Sequence, residues 1–344
     1  MGHRTGVIGG TDDGDELTAW PGSPHEATRF ILGQLPECEP VEDFPRQTER
    51  PVHGEDAPTL LPPEVLEGEF FRAIHVADPK TSRGPSGFAA FLDGTQDVRV
   101  VNQSHGIPIV WATVSAAVRA RVNRRLISWG GHPPIVSRRY YIPFRYVDGL
   151  HPELKSHPQV IDTAREDASG NVPSRHPAAL MEAAVQRVQQ DREAIEIQLA
   201  ESWCAAEQGM LFVDGSITGS SLVSQSTRAA GVVKTHRRLY AEGDAFRVLV
   251  GLRAGERSSI FRVAPRSRYA VASWYVRIRN ATGRDALFGL VRVEAALGDD
   301  ITARADDISR WIIAEGAPLA LPDGRWDKMA YGIRDTEEFL RAIS

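Results

Sequence analysis

The spacing of apolar residues changes period several times along the chain, and the changes mark out its elements. Between Pro177 and Gln208, Met181, Val185, Val188, Ile195, Leu199 and Trp203 recur at spacings of 3, 4 and 7. That is the single stripe of one long amphipathic helix, ended by Gly209. Upstream, Phe88–Leu92 is a short uninterrupted apolar run, read as a buried strand, and Asp97–Asn102 resumes as another after a short turn. Ile107–Val118 is apolar and β-branched enough for a third strand, and Ile135–Tyr146 is amphipathic and extended. Residues 148–175 read as an irregular connection. Beyond the helix, Met210–Val213, Ala229–Lys234, Phe246–Leu252, Tyr269–Arg279 and Leu287–Ala295 are further strand candidates. Helices near Asp300–Ala314 and Arg325–Ile343 close the chain. Strands, a long helix, more strands and then helices predict an α/β fold, a mixed sheet with helices packed on it.

The first 60 residues are different, being rich in Gly, Pro, Asp and Glu with little periodicity. They predict an extended acidic N-terminal arm, with one short helix at 20–34 and a weak segment at Pro62–Val76 leading into the main domain. The division expected is therefore an arm over 1–83 and a domain over 84–344. Charge sharpens the boundary. Residues 1–78 carry 16 Asp/Glu against 5 Arg, a net of −11, whereas the whole chain of 344 residues is at −5. The remainder is thus mildly basic and is the part suited to nucleic acid. No apolar run is long enough for a membrane span, and the polar, acidic N-terminus is unlike a secretion signal, so a cytoplasmic location is expected. Two cysteines, Cys38 and Cys204, and no His-Glu-x-x-His pattern leave little room for a disulfide framework or a cysteine zinc site.

Candidate chemistry rests on an apolar strand ending in Asp-Gly that occurs twice, at Phe88-Ala-Ala-Phe-Leu-Asp93-Gly94-Thr95 and at Met210-Leu-Phe-Val-Asp214-Gly215-Ser216. A carboxylate at the end of a buried strand is costly unless its charge is compensated. Two of them, separated by the long helix, point to acidic groups gathered around a divalent metal. The competing reading is a hairpin turn, because Asp-Gly favours turns and also occurs at Asp13, Asp148 and Asp323. On the long helix, Glu196 flanks the apolar stripe and can face the sheet, with Glu193 as a substitute. Spacing alone favours a solvated carboxylate paired with Arg192. Lys234 ends the strand Gly231-Val-Val-Lys234 and is read either as a phosphate-binding cation or as a snorkelling surface lysine. His236, Arg237 and Arg238 follow as candidates to track a nucleic-acid backbone.

In this order the residues resemble the NurA nuclease family. Its pattern is a strand with Asp-Gly-Ser, a helix carrying a Glu, a second strand with Asp-Gly-Ser, and a strand with Lys. The strand Leu290-Val-Arg292-Val-Glu294 also looks like the Arg-x-Glu strand of that family. The resemblance spans roughly residues 84–344. It implies an RNase H-like fold with catalytic carboxylates on its central strands, and hydrolysis of DNA dependent on Mn²⁺ or Mg²⁺, through two ions. It also implies a homodimer working with a HerA-type hexameric ATPase in DNA end processing or phage defence. The metal ligands implied are Asp93, Glu196 and Asp214, with Asp327 as the fourth. The family's C-terminal Ala-His is replaced by Trp326-Asp327-Lys328-Met329-Ala330, which puts Asp327 at the histidine position. Aspartate is an acceptable oxygen donor for these ions. The substitution leaves a second expectation open, an RNase H-like adaptor without catalysis that docks on the ATPase or on DNA.

Overall fold

The computed structural model describes residues 20–40, 58–78, 86–130, 133–166, 170–207, 209–266, 268–282, 284–316 and 327–344. Seven strands position the site: β1 (Phe88–Ser104), β2 (Ile107–Val122), β3 (Ile135–Ile142), β4 (Met210–Asp214), β5 (Ala229–Val233), β6 (Val271–Arg277) and β7 (Leu290–Ala295). Four helices accompany them: α1 (Pro24–Gln34), α2 (Pro177–Ala206), α3 (Ile301–Glu315) and α4 (Tyr331–Ile343). The strands lie in one mixed sheet in the order β6-β7-β5-β4-β1-β2-β3, with shorter strands around them. β1, β2 and β3 form an antiparallel meander. β4 then runs parallel to both β1 and β5, and β7 runs antiparallel to β5. An α/β sheet flanked by helices is therefore what the chain forms.

The two faces of the sheet are buried by different helices. On one, Leu199, Ala200, Trp203 and Cys204 of α2 join Ala90, Leu92, Leu211 and Val213, while Ala184, Val185 and Val188 cover Val98, Val110 and Ala112. The apolar stripe read from the sequence is thus the packing face of α2. Removing the Trp203 ring would cost about 3–5 kcal/mol. On the other face, Ala305, Ile308, Ile312 and Ile313 of α3 and Ile333 of α4 pack with Phe88, Phe91, Phe212 and Val232.

Several expectations are corrected. The strand from Phe88 does not turn after Leu92: β1 continues for 17 residues, with Asp93 and Gly94 opposite Ala117 and Ala116 of β2. The long apolar β2 keeps its partner in the ladder, and the reversal falls instead at His105 and Gly106, with φ of 48° and 78°. Phe246–Leu252 is not a strand. Asp244–Gly251 is a helix with Ala245 and Leu249 buried one turn apart, and the buried Arg277 donates to the carbonyls of Leu249, Val250 and Leu252 at its C-terminal end. A short apolar run has no length to separate the two periods. The connection at 148–175 contains a helix at Pro152–Ser156 and a strand at Val160–Asp162 beside β3.

The described parts of residues 1–83 are built into the fold. α1 lies within the expected 20–34, beginning at Pro24 after the Ser23 cap and ending at Gln34, and buries Ala27 and Ile31 with Leu35 against Val101, Ile109, Trp111 and Tyr140. The strand Thr59–Leu61 pairs with Arg238–Tyr240, and Ala73–His75 pairs with Glu256–Ser258. Glu67 accepts both terminal nitrogens of the buried Arg257 at 2.6 and 2.8 Å. Their spacing is too short to show as a pattern in the sequence. Among the described residues no helix is long and apolar enough to cross a membrane.

Candidate active site

Strand alternation gathers the site. Phe91, Phe212 and Val232 sit on β1, β4 and β5 in the core beneath α3 and α4. Two residues further along are Asp93, Asp214 and, one residue beyond the end of β5, Lys234, so the period of two turns the three to a common side of their strands. Val213 stands opposite Leu92, and Asp214 opposite Val232, so the two aspartates lie at one height on neighbouring parallel strands. Glu196 arrives from α2 above Gly94. A Cβ on Gly94 would lie 2.2 Å from Glu196 Oε1, so the absence of a side chain there is what admits the carboxylate. Asp93, Glu196, Asp214 and Lys234 all line one cleft of about 720 Å³, with Arg192, Glu193, Arg237 and Arg268 among its walls.

Charge in this cleft is only partly compensated. Asp93 is 9% exposed, and its Oδ1 accepts the Gly94 N–H at 2.8 Å. Burial, then the neighbouring Asp214 charge, push its carboxyl well above the usual carboxylate range, against the opposing pull of Lys234. Burial also lifts Glu196 to about 7, with Arg192 opposing and Asp214 adding to the rise. Lys234 Nζ sits 2.8 Å from Asp214 Oδ2. Arg192 pairs with Glu196 through Nη1 and donates from Nε to Gln96 Oε1 at 3.2 Å. The Arg192–Glu196 pairing anticipated from spacing is present, but it lies in the cleft rather than on a solvated face. Arg268 reaches Glu193 at 3.5 Å.

Beneath the cleft, β7 supports the segment after Asp214. Glu294, 1% exposed, accepts from Ser216 Oγ at 2.8 Å and from Ile217 N–H at 3.0 Å, and its other oxygen pairs with Arg292 at 2.7 Å.

Three predicted residues stand elsewhere. Asp327 is not among those lining the cleft; its Oδ2 accepts the Gly289 N–H at 2.8 Å, and its carbonyl accepts from Arg279. Its neighbour Lys328 donates to the Lys234 carbonyl at 3.2 Å, so this segment touches the back of the Lys234 strand rather than the carboxylates. His236 turns its ring into the fold, with Nε2 2.7 Å from the Leu290 carbonyl and Tyr275 against it edge-on. Burial pushes that imidazole down to about 4, so it is neutral near pH 7 and unsuited to gripping phosphate. Arg237 lines the cleft, whereas Arg238 lies in the short strand Arg238–Tyr240 outside it. Sequence reasoning missed Gln96, Gln189 and Arg268, polar residues whose only sequence signal was proximity to Asp93, Glu193 and nothing at all. No known protein family matches the chain, and neither does any curated protein.

Proposed function

We propose that this cleft hydrolyses phosphodiester bonds of DNA with the help of divalent cations. The observation that carries the reading is the pair of aspartates at one height on adjacent parallel strands, joined by Glu196 and faced by Lys234, Arg192 and Arg237. The donor set fits Mg²⁺ or Mn²⁺. It is all oxygen, and the raised values of Asp93 and Glu196 express a surplus of negative charge that a bound cation would relieve. Among the described residues no three His, Cys, Asp or Glu side chains are grouped as a ready-made metal cage. Asp93 and Asp214 would hold the ions, two in the reading drawn from the NurA resemblance, with Glu196 completing the oxygen shell. Bound there, the ions would acidify an attacking water and stabilise the departing oxygen. Lys234, released from Asp214, binds the phosphate beside Arg192 and Arg237, which line the same cleft.

The mixed sheet with carboxylates on central strands supports an RNase H-like fold. The same resemblance supports a homodimer partnered by a HerA-type ATPase. A second reading, the non-catalytic adaptor, draws on the internal pairing of Asp214 with Lys234 and of Glu196 with Arg192. Cleavage of end-labelled linear DNA with Mn²⁺, Mg²⁺ or EDTA separates them. Metal-dependent cutting is expected, and its loss in both Asp93→Asn and Asp214→Asn. Cutting retained by a clean preparation of either variant would overturn the assignment. A wild type inert even with the ATPase supplied would favour the adaptor.

A further inference from the structure

Glu294 is not among the residues lining the cleft, yet both of its oxygens are committed to the segment that follows Asp214 or to the cation that neutralises it. Oε2 takes both the Ser216 hydroxyl and the Ile217 N–H. Oε1 takes Arg292, which also donates to Ser273 Oγ at 3.3 Å and lies over the Tyr240 ring at 5.5 Å. Burying a carboxylate to 1% exposure is costly, and the fold accepts that cost only with full hydrogen bonding. Two further features keep the segment tight. Gly215 has φ 136°, and its N–H donates to the Val232 carbonyl at 3.1 Å. Gly231, beside Glu294 in the ladder, has no Cβ; one would fall 2.7 Å from the Gly215 carbonyl oxygen. The chain leaving Asp214 is thereby clamped over the sheet immediately after the aspartate.

We infer that Glu294, held by Arg292, is a positioning residue that fixes the backbone after Asp214 so that the Asp214 carboxylate is presented to a divalent cation. This rests on the reading of the cleft as a metal-dependent site. Loss of an outer support of a ligand costs metal affinity by about 10- to 100-fold, and a purely structural role would lower stability without that selective loss.

The test is Mn²⁺ titration of the full chain without DNA, read as the ion-dependent rise in Tm and converted to an apparent Kd. Glu294→Gln is compared with wild type and with Glu67→Gln, which breaks the buried Arg257 pair away from the cleft. Glu294→Gln is expected to weaken Mn²⁺ binding about tenfold or more, while Glu67→Gln lowers Tm and leaves the affinity at the wild-type value. Should Glu294→Gln fail to fold, Ser216→Ala removes one arm of the clamp and is expected to weaken binding in the same direction. Wild-type affinity in the clamp variant, or equal weakening in Glu67→Gln, overturns the inference. A wild type whose Tm ignores Mn²⁺ overturns the metal reading itself, and the inference falls with it.

Discussion

Asp93-Gly94 and Asp214-Gly215 are the same dipeptide after the same kind of apolar run, yet they are built for different reasons. Asp93 lies inside a strand that continues for eleven more residues to Ser104, with no cation in hydrogen-bonding contact among the described residues, and its glycine makes room for Glu196. Asp214 ends its strand, is paired with Lys234, and its glycine adopts a φ of 136° where nothing crowds a Cβ. One glycine serves side-chain approach and the other serves backbone direction. A third copy, Asp148-Gly149, is an ordinary turn with φ 74°. Identical letters therefore carry three separate physical demands, and the demand determines what a substitution would do.

The largest effect expected is electrostatic and belongs to the Asp93 side. Glu196 is raised from about 4.5 to about 7 in the folded protein, so its contribution to stability is full below pH 4.5 and is lost as pH rises through 7. Without divalent ions, denaturant titrations should show the wild type losing up to about 3 kcal/mol relative to Glu196→Gln across that window. A pH-independent difference would contradict the assigned environment. Next, Gly94→Ala should displace Glu196 and lower cleavage about a hundredfold. Its stability cost should be smaller when Glu196→Ala is also present, a non-additive cycle, because the clash is with that side chain. Gly215→Ala should cost about 2 kcal/mol by backbone strain, additively with Glu196→Ala. Additivity at Gly94, or coupling at Gly215, would erase the distinction between the two pairs. The smallest effect is at the turn: Gly149→Ala should cost about 1 kcal/mol and leave cleavage unchanged.

Long, strongly periodic segments were legible in advance. α2 was expected over 177–208 and spans Pro177–Ala206, since a 30-residue helix repeats its stripe often enough to be unambiguous. The strands bearing Asp93, Asp214 and Lys234 were visible because continuous apolar runs end in charge. Order along the chain could not reveal where ladders persist. Asp93-Gly94 has turn chemistry, but pairing with β2 overrides it. Phe246–Leu252 reads as a strand but lies largely in the helix Asp244–Gly251, because so short a stretch holds too few apolar positions to choose a period. Asp327 and His236 carry suitable functional groups, and only tertiary placement reveals that one caps Gly289 and the other the Leu290 carbonyl. Glu294 was visible as a strand residue. Its clamp on Ser216, 78 residues away in the chain, and on Ile217 depends on β7 lying beside β5.

The most direct test of the central claim is the number of Mn²⁺ ions bound, by titration calorimetry, to wild type, Asp93→Asn and Asp214→Asn. Two ions on the wild type, and loss of binding in each variant, are expected if the two aspartates share one metal centre. Undiminished binding in both variants, or none to the wild type, would contradict it.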